Sequence, residues 1–221
     1  MKFKDFFSKN KHILFLLYMP VYLYCFTWLE ARNDVSFTEI HCFLDDWIPF
    51  SELFIIPYLL WFVYVAAVIV FLYFQKEHLE DYYRCIITLL LGMSASLLIY
   101  FLFPNEQNLR PSQFLDSNFL TDIIQFIYDT DTNTNVLPSI HVYNSIAIMI
   151  AVWRSRCFTG HRIIKAAMLL LGVSIICSTV LIKQHSMLDV LLALLLASVM
   201  YAICYKKETV REGKTALQKS E

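Results

Sequence analysis

Two histidines, an aspartate and an arginine are the residues of this chain whose types and spacing best suit a chemical reaction. His141 and His185 lie at the ends of apolar segments, and Asp189 follows His185 by four residues. Ionisable side chains are costly at the edge of a bilayer, so they usually serve a function there. Two imidazoles, one of them near a carboxylate, together with the guanidinium of Arg110 indicate chemistry on a phosphate group.

The start of the segment that contains His141 has the features of an anion site. Pro138 suits the first position of a helix, because its missing N–H costs nothing there. The backbone amides of Ser139, Ile140 and His141 would then point unpaired out of the helix start, which attracts phosphate. The Ser139 hydroxyl adds a donor. An ordinary N-terminal cap with a histidine at the interface is the alternative.

The charged residues have roles that fit such a site. His185 and Asp189 are four residues apart and would share a helix face. A carboxylate bonded to one ring nitrogen fixes the tautomer and leaves the other nitrogen free to attack. The alternative is a buried ion pair that joins two helices. Arg110 suits bidentate contact with phosphate oxygens, and a surface salt bridge to Glu106 or Asp116 is the plain alternative.

The elements that carry these residues are long apolar segments. The 221-residue chain is 58% hydrophobic and only 17% charged, which favours an integral membrane protein over a soluble domain. Stretches near the ~20 residues that cross a bilayer recur along the chain and predict an all-α, six-helix bundle in a single domain. The predicted spans are 11–29, 53–74, 85–103, 139–157, 163–182 and 187–205, followed by a polar tail over 206–221.

Basic residues are distributed unevenly between the loops. Fifteen of the 18 lysines and arginines fall in the segments 1–11, 75–84, 154–165 and 206–221. The alternate segments contain only Arg32, Arg110 and Lys183. Because basic loops stay cytoplasmic, both termini are predicted to be cytoplasmic in the cell membrane. The loop 104–138, His141 and His185 are then expected on the extracytoplasmic side.

Two of these outer segments have the apolar spacing of helices that lie in the membrane interface. Apolar residues recur at steps of three and four along 37–50 and along 113–128. Each segment would roof a site that opens towards lipid. An aromatic belt that only anchors the protein is the alternative.

Three short segments, around Arg110, His141 and His185, together resemble the motifs of the type 2 phosphatidic acid phosphatase superfamily. These motifs are K-x6-R-P, P-S-G-H and S-R-x5-H-x3-D. Arg110 and Pro111 match the end of the first motif, and residues 138–141 match the second. The third motif is matched by Ser178, His185 and Asp189 at the family's spacing. The resemblance covers roughly residues 103–189.

Three positions depart from the family pattern. Phe103 stands at the lysine position of the first motif, Ile140 at the glycine of the second and Thr179 at the arginine of the third. Lys183 lies four residues beyond Thr179 and would share its helical face, so it would replace the arginine. An interfacial anchor is the other role for Lys183. The departures also resemble the branch of inositol phosphorylceramide and sphingomyelin synthases.

The resemblance implies a mechanism without a metal or other cofactor. His185 would attack phosphorus and form a phosphohistidine while Asp189 orients the ring. His141 would act as general acid and then as general base. The residues expected to bind the phosphate are Arg110, Ser139, Ile140, Lys183 and Ser178.

The function that the resemblance implies is that of an integral membrane phosphatase, which hydrolyses a lipid phosphate monoester or diphosphate at the outer leaflet. A lipid head-group phosphotransferase with the same residues is the alternative. A transporter or scaffold with a decayed site is a third class. The expected partners are a phosphorylated lipid and the bilayer, with no nucleic acid, and the sequence indicates no oligomeric state.

Overall fold

Helices dominate the computed structural model, which is 72% helical. It describes residues 11–205, with side chains from Leu17 onwards. The predicted polar tail over 206–221 and most of the basic segment 1–11 lie outside the described residues. The expectation of a nearly all-α protein is confirmed.

Six long helices and two short ones follow one another within residues 11–205. They are α1 (Lys11–Glu30), α2 (Phe43–Trp47), α3 (Ile55–Phe74), α4 (Leu79–Leu102), α5 (Phe119–Thr130), α6 (Ile140–Arg154), α7 (Arg162–Leu181) and α8 (Met187–Cys204). Two-residue strands β1 (Thr38–Glu39) and β2 (Asn105–Glu106) pair in parallel. Single 3-10 turns cover Glu52–Phe54, Lys76–His78 and Arg156–Phe158.

Within residues 11–205, four helical segments are long and apolar enough to cross a membrane. They are Glu52–Phe74, Lys76–Leu102, Arg162–Leu181 and Met187–Cys204. The shorter α6 has 15 residues and ends at Arg154, whereas the predicted span runs over 139–157. It ends there because Ser155 starts the next turn, with its Oγ accepting from the Cys157 amide. Four such helices among the described residues are consistent with a membrane protein, and the six-span layout remains a prediction.

The centre of the bundle is α6, which packs against α3, α4, α7 and α8. Its contact with α4 is close because Gly92 has no side chain: a Cβ there would lie 1.8 Å from the ring of Tyr143. The Tyr143 hydroxyl donates to the carbonyl of Thr88 at 2.5 Å. This packing fixes α6, and therefore the histidine near its start. By contrast, α1 lies at the edge and packs on α4.

The two segments expected to form interfacial helices differ from each other. Most of the second one is helical as α5, which begins after Asn118 because the Asn118 side chain accepts from the amides of Leu120 and Thr121. The helix expected over 37–50 is reduced to the single turn α2, so that prediction is largely wrong. Pairing of β1 with β2, 67 positions away in the chain, overrides the local apolar spacing.

Candidate active site

The two histidines face each other at one end of the bundle. The ring centroids of His141 and His185 are 5.9 Å apart. His141 lies in the first turn of α6, and its ring packs at a tilt against Tyr58 and Trp61 of α3, with centroids 4.8 and 4.5 Å away. A reacting atom about 3–3.5 Å from each imidazole fits a gap of this width.

His185 is oriented by Asp189, although the geometry differs from the expected helix face. His185 precedes the N-cap residue Ser186, and Asp189 is the third residue of α8. The Asp189 carboxylate accepts from the Ser186 amide at 2.9 Å and contacts His185 Nδ1 at 3.0 Å. Asp189 is 0% exposed. The pair therefore arises from a helix-capping arrangement, and the Nε2 nitrogen of His185 is left for chemistry.

Asp45 of α2 is a supporting residue that the sequence interpretation missed. Its carboxylate accepts from Ser186 Oγ at 2.6 Å, from the Met187 amide at 2.8 Å and from the Cys42 amide at 2.8 Å. Burial favours the neutral form, but these hydrogen bonds outweigh it and lower the pKa of Asp45 below its usual value. No local pattern links Asp45 to Ser186, which lies 141 positions away. The one sequence signal for a role of Asp45 is that it is an acidic residue within an apolar segment.

Lys183 does not take the position of the missing arginine. The helix α7 ends at Leu181, and Lys183 has a left-handed backbone with φ of 55°, so it does not share a helical face with Thr179. Its ammonium donates to the carbonyls of Asp45 and Ile48 at 2.9 and 2.6 Å. Lys183 therefore ties α2 to the turn that carries His185. This contact within the protein differs from both roles expected of Lys183, which were phosphate binding and anchoring at the membrane interface.

Arg110 is held by other parts of the protein. Its Nη1 donates to the Tyr128 carbonyl at 3.0 Å. Its Nη2 donates to the carbonyls of Asp131 and Thr132 and, at 2.6 Å, to Gln184 Oε1. These bonds replace the salt bridge to Glu106 or Asp116 that was the alternative. Arg110 thus joins the loop after α5 to the residue beside His185.

The other residues expected to bind phosphate occupy different positions. Ser139 is the N-cap of α6, where its Oγ accepts from the Val142 amide and its own amide donates to the Asp189 carbonyl. Pro138 therefore lies before the cap rather than at the first helical position. Ser178 is buried and donates to the Ile175 carbonyl of its own helix. Ile140, in contrast, lines the same cavity as both histidines.

A cavity of about 650 Å³ extends from the two histidines along the bundle. Most of its wall is apolar and comes from α1 and α3, where the lining residues are Met19, Tyr22, Leu23, Phe26, Tyr58, Trp61, Phe62, Val65, Ala66, Ile69 and Val70. From Trp61 to Val70 the wall follows about 14 Å of helix, close to the ~15 Å of one hydrocarbon leaflet. Such a volume and lining suit an apolar chain.

The histidine end of this cavity is polar. Its wall there includes Asp131, Asn135 and Gln184, together with Thr130, Thr132 and Thr134. Burial raises the pKa of Asp131, while His185 and Arg110 oppose that shift. The site therefore combines two imidazoles, a carboxylate and two amides at the head of an apolar channel. Motif spacing gave no signal for Asn135 or Gln184.

Comparison with protein families identifies one match. Residues 106–211 match the family model described as the PAP2 superfamily. The matched segment includes Arg110, His141, His185 and Asp189, so the resemblance inferred from the motifs is confirmed. Comparison with curated protein sequences and with solved structures gives no match.

Proposed function

Because the chain carries a PAP2 superfamily segment over residues 106–211, whose members act on phosphate esters, we propose that it is an integral membrane lipid phosphatase. It hydrolyses a lipid phosphate monoester or diphosphate. The observation that carries this proposal is the pair of facing histidines, 5.9 Å apart, at the polar head of an apolar cavity. The cavity suits the lipid chain, and the imidazoles suit the phosphoryl group.

In the first step of the proposed mechanism, Nε2 of His185 attacks phosphorus in line. An N–P bond forms while the P–O bond to the lipid breaks, and His141 donates a proton to the leaving oxygen. Asp189 stabilises the positive charge that develops on the His185 ring, since its carboxylate contacts Nδ1. The products of this step are the lipid alcohol, or the lipid monophosphate from a diphosphate, and a phosphohistidine.

In the second step, the now neutral His141 accepts a proton from water as the water oxygen attacks phosphorus. An O–P bond forms, the N–P bond breaks, and inorganic phosphate leaves with His185 restored. His141 is thus acid in one step and base in the other. Its packing against Tyr58 and Trp61 holds the ring in one place for both proton transfers.

The distribution of basic residues supports an outward-facing site. Lys76, Arg84, Arg154, Arg156, Arg162 and Lys165 all lie near the helix ends opposite to the histidines. Basic ends stay in the cytoplasm. The proposed site accordingly faces the outer leaflet, and its lipid enters from that side of the bilayer.

Transfer of the phosphorylated head group to a lipid hydroxyl is a second candidate, favoured by Asp131. This carboxylate lines the cavity beside the histidines. A negative charge there disfavours a doubly charged phosphate monoester, and it accepts hydrogen bonds from hydroxyl groups of a head group. In that reaction, a lipid hydroxyl replaces water in the second step.

A panel of phosphorylated lipids offered to the purified full chain in detergent tests both candidates. The panel contains phosphatidate, phosphatidylglycerophosphate, a polyprenyl diphosphate and a phosphodiester lipid mixed with a lipid alcohol. Release of inorganic phosphate supports hydrolysis, and a new phosphodiester lipid supports transfer. Turnover of none of these lipids would contradict the proposed phosphoesterase function.

A further inference from the structure

Two of the three cations that the family motifs contain are absent from this chain, and the third, Arg110, is bonded to protein carbonyls and to Gln184. Phe103 and Thr179 stand at the lysine and arginine positions, and the Thr179 hydroxyl donates to its own helix at the Ile176 carbonyl. Lys183 is engaged with α2. Within the part of the chain that the structure describes, the residues that line the cavity include no lysine or arginine. Other donors are therefore needed for the phosphoryl oxygens.

Two buried amides line the cavity with hydrogen-bonding atoms left unpaired. Gln184 is 2% exposed and Asn135 is 3% exposed. Among the described residues, Gln184 Nε2 and both Asn135 Nδ2 and Oδ1 have no hydrogen-bond partner. A buried donor without a partner destabilises the fold. Both amides line the same cavity as the histidines, so their unpaired N–H groups are available to a ligand bound there.

The orientation of the Gln184 amide follows from Arg110. A guanidinium only donates hydrogen bonds, so the Gln184 atom that contacts Arg110 Nη2 at 2.6 Å must be the oxygen. The other arm of the amide, Nε2, is consequently the free donor. The backbone amide of Gln184 also donates to the Thr179 carbonyl at 2.9 Å. Both ends of the residue are thereby fixed, as a preorganised donor requires.

Asn135 is fixed through its backbone. Its amide donates to the Asn105 carbonyl at 2.6 Å, and the Asn105 side chain in turn accepts from the amides of Val136 and Leu137. Asn135 has a φ of 55°, a left-handed conformation that asparagine tolerates better than most residues. The loop therefore holds the side-chain amide of Asn135 at the cavity wall, four residues before Ser139.

The geometry points to Asn135 and Gln184 as the residues that bind the phosphoryl group: Asn135 Nδ2 and Gln184 Nε2 donate to the non-bridging oxygens of the phosphorus held between His141 and His185. This inference rests on the proposed phosphoesterase function, which supplies the phosphoryl group. Two neutral amides thus do the work of the absent lysine and arginine. Arg110 acts through Gln184 as a positioning residue.

The test exchanges each donor for an acceptor of the same shape. Gln184→Glu and Asn135→Asp keep the side-chain volume but replace N–H with a carboxylate oxygen. The probe is orthovanadate, measured through the increase in thermal stability that it gives the purified full chain. Each variant is expected to raise the orthovanadate concentration for half-maximal stabilisation about tenfold or more, since a hydrogen bond to a charged group is lost.

Matched controls carry the same chemical change outside the cavity. Asn133→Asp lies in the same loop, where its side chain donates to the Gln107 carbonyl, and Gln125→Glu lies on α5, where its side chain contacts Asp129. Neither residue lines the cavity. Both controls are expected to bind orthovanadate within about twofold of the unmodified chain, because the phosphoryl donors are unchanged.

The outcomes separate this inference from the proposed function. Binding within about twofold of the unmodified chain in both Gln184→Glu and Asn135→Asp overturns the inference, as does a failure of the unmodified chain to bind orthovanadate. If the acidic variants do not fold, Gln184→Met and Asn135→Leu remove the same donors without a charge. If the chain turns over no lipid but its orthovanadate affinity still depends on the two amides, the phosphoesterase proposal fails while binding of a phosphate-like anion by the two amides is supported.

Discussion

The two sides of the polar end of the cavity differ in how their hydrogen bonds are satisfied. On one side, three residues around the nucleophile are bonded to protein groups: Lys183 to α2, His185 to Asp189, and Ser186 to Asp45. On the other side, the amides of Asn135 and Gln184 have unpaired atoms at the cavity wall. Gln184 belongs to both sides, since its side-chain oxygen accepts from Arg110 whereas its side-chain nitrogen has no partner among the described residues.

This difference separates orientation from binding. A nucleophile gains from partners that fix its ring before the substrate arrives. A binding group must keep a donor for the substrate, and an unpaired buried amide costs about 1–3 kcal/mol of stability until it is used. The bonded side is therefore expected to control the rate of the chemical step. The unpaired side is expected to control affinity for the phosphoryl group.

The largest effect is expected from His185→Ala. Since Nε2 of His185 forms the bond to phosphorus, turnover should fall about 10⁴-fold or more. The measurement is product release from the best lipid of the panel. His161→Ala, at the other end of the bundle next to α7, is the matched control and should leave the rate within about twofold. A His185→Ala chain with near-normal turnover would rule out the phosphohistidine route.

Asp189→Asn should reduce kcat by about 10²–10⁴-fold, because an amide no longer stabilises the charge on the His185 ring. The amide oxygen can still accept from the Ser186 amide, so the cap and the fold should persist. Activity and thermal unfolding are measured on the same preparation. A collapse in thermal stability with little change in the activity of the folded fraction would instead mark the pair as structural.

Asp45→Asn should lower kcat by about tenfold, because loss of the charge weakens the hydrogen bonds that hold Ser186 and Met187. KM should change little, since Asp45 does not line the cavity. A larger change in KM than in kcat would assign Asp45 to substrate binding and contradict this positioning role.

The same residue gives a prediction for pH. The folded-state pKa of Asp45 lies below its usual value, so its stabilisation is fully present above the unfolded-state pKa and is lost as the pH falls through the folded-state pKa. The acid limb of thermal stability against pH should therefore be shallower in Asp45→Asn than in the unmodified chain. Parallel acid limbs in the two proteins would contradict the assignment.

The smallest effect on turnover is expected from Lys183→Met. The ammonium binds the carbonyls of Asp45 and Ile48 and not the cavity, so the rate should change less than about threefold while stability falls by about 1 kcal/mol. Lys165→Met removes a similar bond to the Trp153 carbonyl at the other end. A strong loss of turnover in Lys183→Met but not in Lys165→Met would instead indicate that Lys183 binds phosphate.

The sequence predicts the apolar helices and the motifs that contain the histidines, because hydrophobic runs and motif spacing are local signals. It does not predict the roles of Asp45 or Lys183, since their bonds join α2 to a turn about 140 positions away. The helical face assumed for Lys183 fails for a related reason: α7 ends at Leu181, and no glycine or proline in the sequence marks that end.

The sequence also does not predict a binding role for Asn135 or Gln184. Asparagine in a polar loop reads as a turn residue, and glutamine before a histidine has no motif of its own. Only the three-dimensional arrangement reveals that both amides reach one cavity with unpaired atoms. Residue types predict the proposed reaction class, whereas the fold alone brings the proposed phosphoryl donors together.

Direct detection of the phosphorylated intermediate tests whether His185 is the nucleophile. The full chain is mixed with its best lipid labelled in the phosphoryl group, quenched within one turnover in alkali, which preserves phosphohistidine, and mapped by mass spectrometry. The phosphohistidine mechanism predicts label on His185, and none after His185→Ala. Label on another residue, or turnover without any covalent label under conditions that preserve phosphohistidine, would contradict it.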